Sequence, residues 1–70
     1  MSTKVLTAII HKEDDLYVAE CPEIGTVSQG ADIETALANL KEATELYLEE
    51  SPDMEYSATF MTTFEATVNA

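Results

Sequence analysis

Two short runs near the start of the chain are mostly apolar, and their composition predicts two β-strands. The first run, residues 4–12, reads KVLTAIIHK, and the second, residues 16–21, reads LYVAEC. Both runs are rich in the β-branched and aromatic residues that favour strands. The acidic residues 13–15 separate them, so the two runs are predicted to form a hairpin. Pro22 lacks a main-chain donor and is predicted to end the second strand.

A third short strand is predicted over residues 26–29, and the apolar residues then change to helical spacing. The helix is predicted from Ile33 to about Glu50, with Asp32 as its N-cap and a stop at residues 51–53. Leu46 falls on the outer, mostly acidic side of this helix. The side predicted to face a core contains Ile33, Ala36, Leu37, Leu40, Ala43, Thr44, Tyr47 and Leu48.

Apolar and polar residues alternate almost perfectly in residues 56–68, which predicts a half-buried strand or two collinear ones. One face of this segment contains Tyr56, Ala58, Phe60, Thr62, Phe64, Ala66 and Val68. The predicted order is therefore β-β-β-α-β, an α+β fold in which a single helix packs on one face of a small, mainly antiparallel sheet. A right-handed crossover would place the last strand parallel to the strand it joins, for which the first strand is the candidate.

The chain has 70 residues, which we interpret as one small domain, residues 1–70, of marginal stability. One helix leaves the second face of the predicted sheet open, and an open face and a long last strand both favour pairing with a second copy. We therefore expect a homodimer or a higher homo-oligomer. The residues expected to contribute to self-association are Phe60, Phe64 and Leu46.

Fourteen acidic residues stand against three lysines, so the formal net charge is −11. Binding of DNA or RNA requires cations that displace counterions from phosphates, and direct nucleic-acid binding is therefore not expected. The same field attracts a basic protein and speeds the encounter, although a role in solubility alone stays open. A single cysteine cannot form an internal disulfide, and no segment is typical of a leader or a membrane span. We expect a cytoplasmic protein without membrane association.

Cys21 is the candidate nucleophile, and His11 is a candidate base that could lie across the hairpin from it. A reactive thiolate needs an electropositive setting, whereas Glu20 and Glu23 flank this cysteine. A small buried thiol at a strand end is the favoured interpretation. One cysteine and one histidine are too few for a structural zinc, and the acidic turns lack the ligand spacing of a calcium loop. We expect no enzymatic activity, no cofactor and no metal site.

Three segments together resemble the HicB-type antitoxin family: LYVAECPEI at residues 16–24, VSQG at residues 27–30, and IETALANLKEATELYL at residues 33–48. In that family an aromatic-x-Ala stretch leads into a Pro-Glu loop. A Gln-Gly turn follows, and then a helix of the form E-x-A-x-x-x-L-K-E-A-x-E-L-Y-L. The resemblance covers roughly residues 4–50.

This resemblance implies a domain like a truncated ribonuclease-H-type sheet without that enzyme's catalytic carboxylates. It also implies an antitoxin-like, non-enzymatic protein that neutralises a small basic, HicA-like ribonuclease toxin by stoichiometric complex formation. Full-length members of the family continue into a DNA-binding region, and this chain is expected to stand alone without one. A solitary protein-interaction module of the same fold, with a partner that is not a toxin, is the alternative.

The partner-binding residues are expected around residues 17–29, because loops carry recognition more often than cores do. The expected contacts are Tyr17, Glu20, Glu23 and Gln29.

Overall fold

The computed structural model describes residues 3–69 and contains three strands followed by one helix. The elements are β1 (Ile9–Glu13), β2 (Leu16–Cys21), β3 (Thr26–Gly30) and α1 (Ile33–Glu50). The strands form one antiparallel sheet in the order β1-β2-β3, and α1 packs on one face of it. This confirms the predicted α+β class with a single helix on one face of a small antiparallel sheet.

Two tight turns connect the three strands. β1 and β2 meet at residues 14–15, where Asp14 has a φ of 53°, a conformation that Asp tolerates better than most residues. β2 ends at Cys21, directly before Pro22, as predicted. In the turn that follows, Gly25 has a φ of 90°, and its main-chain N–H donates to the Cys21 carbonyl at 2.7 Å. The local sequence therefore determines both reversals of the chain.

The helix begins and ends at the predicted residues. The Asp32 carboxylate accepts a hydrogen bond from the Thr35 main-chain N–H at 2.7 Å, and this contact holds the pKa of Asp32 below its ordinary value. At the other end, the Ser51 main-chain N–H donates to the Tyr47 carbonyl at 3.0 Å. The buried residues of α1 are Ala36, Leu40 and Thr44.

The core lies between α1 and the sheet and consists mostly of small side chains. Its buried apolar residues are Ala19, Cys21, Ile24, Ala36 and Leu40. Small residues bring the helix and the sheet close together at Gly30, where an added Cβ would lie 2.5 Å from the main-chain nitrogen of Ala36. A side chain at position 30 would therefore push α1 away from β3.

Thr44 is the one buried polar residue of the core among the described residues, and it has a partner. Its Oγ1 lies 2.6 Å from Oγ1 of Thr26, so the two hydroxyl groups satisfy each other between α1 and β3. A buried hydroxyl without a partner would cost about 1–3 kcal/mol, so this pair explains how a threonine is tolerated on the core side of α1.

α1 covers the sheet unevenly. It packs mainly against β3, less against β2 and little against β1. The Asn39 side-chain amide donates to the main-chain carbonyl of Gln29 at 2.8 Å, which ties the helix to β3. Ile33, Leu37 and Tyr47, which were predicted to face the core, are exposed in the single chain. The apolar side of α1 is therefore wider than the part that the sheet covers.

The predicted strand over residues 56–68 does not form within the single chain, nor does its predicted parallel pairing with the first strand. Tyr56 packs partly against the core, but residues 57–69 belong to no helix or strand, and every residue from 60 to 69 is exposed. A strand requires a neighbouring strand for its main-chain hydrogen bonds, and the sheet of the described residues contains β1, β2 and β3 alone. The first strand is also shorter than predicted, because it begins at Ile9.

Candidate protein-binding surface

The face of the sheet that points away from α1 is uncovered in the single chain. Cross-strand partners in an antiparallel sheet point to the same side, so the register identifies the members of this face. We name it the open face, and it comprises Ile9, His11, Glu13, Leu16, Val18, Glu20, Val27 and Gln29.

Acidic and apolar side chains lie next to each other on the open face. In one row across the three strands, Glu20 of β2 lies between Ile9 of β1 and Val27 of β3, and both apolar neighbours are exposed. In the same surface His11 Nε2 lies 3.6 Å from Glu13 Oε2. Exposed apolar area bordered by charged groups is typical of surfaces that bind other proteins. A partner that covers this row would therefore contact the Glu20 carboxylate and the two apolar side chains beside it.

The structure brings together two of the four predicted partner-binding residues. Glu20 and Gln29 both lie on the open face, in adjacent rows of the sheet. Tyr17 lies on the opposite, helix-facing side, where it is half-buried and has Lys12 Nζ at 5.8 Å from the centre of its ring. Glu23 lies in the turn between β2 and β3. The role of all four residues in binding a partner stays a prediction.

Glu23 joins the β2–β3 turn to the segment that precedes β1. Its carboxylate accepts hydrogen bonds from the Thr7 hydroxyl at 2.6 Å and from the Thr7 main-chain N–H at 3.0 Å. These two bonds, the hydroxyl first, lower the pKa of Glu23 from 4.5 to about 2. Sequence patterns did not reveal this contact, because the two residues lie 16 positions apart, Thr7 before β1 and Glu23 in the β2–β3 turn.

Cys21 is a buried thiol on the helix-facing side of β2. Its Sγ donates to Oε1 of Glu23 at 3.4 Å, and burial raises the pKa of the thiol above its ordinary value. His11 lies opposite Val18 on the other side of the sheet. The prediction that His11 could lie near Cys21 is therefore wrong, because the two side chains point to opposite faces of the sheet.

Two other features are absent from the described part of the chain. Within residues 3–69, no group of three or more His, Cys, Asp or Glu side chains is placed to hold a metal ion. In the same part of the chain, no helix has the length and apolar character needed to cross a membrane.

The three residues predicted to mediate self-association lie away from the sheet. Phe60 and Phe64 are 93% and 88% exposed on one side of the 57–69 segment, and Leu46 is 57% exposed on the outer side of α1. Their role in self-association stays a prediction.

The chain is similar to a UPF0150 protein of Helicobacter pylori strain J99. The two are 49% identical over 45 residues, which are 63% of this chain and 62% of that protein. The match thus spans less than two thirds of the relative's length. No family model matches the chain, and no solved structure matches it. The likeness to a truncated ribonuclease-H-type sheet therefore stays a prediction.

Proposed function

We propose that this chain is an antitoxin-like, non-enzymatic binding protein that neutralises a small basic ribonuclease toxin by forming a stoichiometric complex in the cytoplasm. The observation that supports this most is the open face, where Glu20 stands between exposed Ile9 and Val27 in a chain of net charge −11. Such a surface can bury apolar area and offer carboxylates to the same partner.

Inhibition of this kind requires no chemistry from the inhibitor. A ribonuclease that cleaves messenger RNA must hold phosphates, and a surface that holds phosphates is rich in Lys and Arg. Carboxylates on the open face can occupy the same cations and block access of the RNA. The net charge of −11 would also speed the encounter, with an association rate that falls as salt is added.

The HicB-like segments support the choice of a ribonuclease toxin among the possible basic partners. These segments form β2, most of β3 and α1, so the resemblance falls on the elements that build the sheet and its covering helix. The similarity to the UPF0150 protein adds a relative of comparable sequence whose name states no activity.

The apolar part of the open face favours a second candidate function. Val27 and Leu16 are exposed on this surface, and they would suit a partner that carries no large positive charge. In that case the chain is a solitary protein-interaction module of the same fold. Binding by such a module would depend weakly on salt and would protect no RNA from cleavage.

Co-expression tests the proposed function. The small basic protein encoded by the neighbouring gene is expressed alone and with this chain, and growth and messenger RNA integrity are followed. We expect the basic protein alone to arrest growth and the pair to restore it, with a stable complex on purification. The absence of a small basic neighbour, or of any complex with it, would refute the toxin-neutralising function.

A matched pair of variants tests whether the open face is the inhibitory surface. Val27 on the open face and Leu46 on the outer side of α1 are 58% and 57% exposed. Val27→Lys should abolish growth rescue, because it removes exposed apolar area and places a cation against a basic partner, and Leu46→Lys should preserve rescue. Equal loss with both variants would show that rescue does not depend on the open face.

A further inference from the structure

A second uncovered apolar surface lies between α1 and the segment that precedes β1. This groove exists because α1 packs over β3 and β2 and leaves β1 and residues 3–8 beside it. Its apolar lining includes Leu6, Ala8, Leu37, Leu40 and Leu48. The groove is distinct from the open face, because it lies on the helix side of the sheet.

The single chain exposes far more surface than a compact protein of its mass. Its accessible surface is 5918 Å², whereas a compact monomer of 7.7 kDa exposes about 4,300 Å². Its radius of gyration is 14.5 Å, against about 11 Å for a compact chain of this length. The excess of about 1,600 Å² per chain is surface that a compact fold would bury.

The 57–69 segment carries a face that matches the groove. Phe60, Phe64 and Val68 recur at every fourth residue, so in an extended strand they share one side and lie about 13 Å apart. All three are exposed in the single chain. The opposite side of the segment is mainly Ser and Thr, with Met61 and Glu65. An added strand would thus turn its aromatic side toward α1 and its polar side outward.

The outer edge of β1 is the free edge that such a strand can use. Along β3, the Asn39 amide binds the Gln29 carbonyl and α1 packs closely, so that edge is partly covered. Along β1, no strand among the described residues pairs with the outer edge. An exposed edge with free main-chain groups is a template for strand addition from another chain.

We propose that two copies of this chain exchange their 57–69 segments. Each segment adds as a strand to the β1 edge of the other copy and places Phe60 and Phe64 in the groove beside Leu37 and Leu48. The occupant is a second copy because no residue of the 57–69 segment lines the groove of its own chain, and residues 60–69 are all exposed there. The excess surface of two copies together is about 3,200 Å², which lies within the range that obligate homodimers bury. This inference does not depend on the proposed toxin-binding function.

Mass measurement of the purified chain tests the exchange. Light scattering at micromolar concentration should give twice the chain mass of 7.7 kDa. The double variant Phe60→Ser/Phe64→Ser should have the single-chain mass and keep its circular dichroism, because both side chains are exposed in the single chain. Met61→Ser/Thr63→Ser, on the other side of the same strand, is the matched control and should remain dimeric.

A mixing experiment shows whether the contact is between copies. Leu37→Glu disables the groove and keeps the segment, whereas Phe60→Ser/Phe64→Ser disables the segment and keeps the groove. Each variant alone should be monomeric, and an equimolar mixture should form a heterodimer with one intact exchange. A wild-type monomer with a radius of gyration near 11 Å would overturn the proposal in favour of a segment that folds back. A dimer that survives the phenylalanine substitutions would overturn it in favour of another surface.

Discussion

Single side chains decide how the parts of this small core are joined. The Glu23 carboxylate connects the β2–β3 turn to Thr7, outside the strands, with two hydrogen bonds. Glu23, which was predicted to bind a partner, therefore forms its hydrogen bonds within the chain. Both oxygens of the Glu23 carboxylate already accept hydrogen bonds within the chain. Substitution of Glu23 should therefore affect folding stability.

The pH dependence of stability tests the Glu23 contact. The folded-state pKa of about 2 lies below the ordinary value of 4.5, so the contact stabilises the folded state above pH 4.5 and is lost as the pH falls toward 2. Glu23→Gln should therefore lower the neutral-pH stability and flatten the decline between these values, as measured by urea unfolding at several pH values. Glu20→Gln removes the same charge from the open face and is the control. Parallel pH profiles for the wild type and Glu23→Gln would contradict the structure.

Gly30 is the residue at which the approach of α1 to the sheet can be tested. An added Cβ would lie 2.5 Å from the main-chain nitrogen of Ala36, which cannot move without displacing the helix. Gly30→Ala should lower the free energy of unfolding by about 1–3 kcal/mol, the usual range for overpacking. Ser28→Ala, on the same strand and face, should cost much less in the same denaturant titration. A neutral Gly30→Ala would show that α1 lies farther from β3.

At the scale of elements, the contact between α1 and β3 depends on a pair of hydroxyl groups. Thr26 and Thr44 satisfy each other at 2.6 Å inside an otherwise apolar contact. Because loss of one hydroxyl leaves the other without a partner, the pair is strongly coupled.

A double-mutant cycle measures this coupling. Thr26→Val and Thr44→Val should each lower the free energy of unfolding by about 1–3 kcal/mol, and the double variant should be close to the wild type in stability. Thermal or urea unfolding provides the three values. Additive losses in the double variant would mean that the hydroxyl groups do not meet.

Local sequence signals predicted the elements that local contacts stabilise. Asp32 caps α1 as expected, and Pro22 follows the last residue of β2. The strand over residues 56–68 was not obtained in the single chain, because alternation reports which residues can share a face and not which edge receives the strand. Which sheet edge the segment joins depends on how the copies assemble, and the segment's own sequence does not specify it.

The candidate surface was predictable only in part, for a similar reason. Glu20 and Gln29 share the open face because their positions along β2 and β3 have the same orientation in the register. Tyr17 has the opposite parity and points to the helix side. A shift of one residue in register would exchange the two faces, and the sequence alone does not fix register to that precision.

At the scale of the whole molecule, the chain presents two uncovered surfaces of different character. The open face combines carboxylates with exposed apolar residues, whereas the groove beside α1 is lined by leucines and alanines together with threonine, lysine and glutamate residues. We propose a basic partner for the first and a second copy for the second. Since they lie on opposite sides of the sheet, both can be occupied in one assembly.

The affinity of the purified chain for its basic partner tests the central claim most directly. Isothermal titration calorimetry at low and high salt should give a stoichiometric complex whose dissociation constant rises as salt is added. Glu20→Lys, in the middle of the open face, should weaken binding at least about tenfold, equivalent to about 1.4 kcal/mol. Glu42→Lys, the same change on the outer side of α1, should leave the affinity nearly unchanged. Equal affinities for the two variants, or binding that does not respond to salt, would contradict the account.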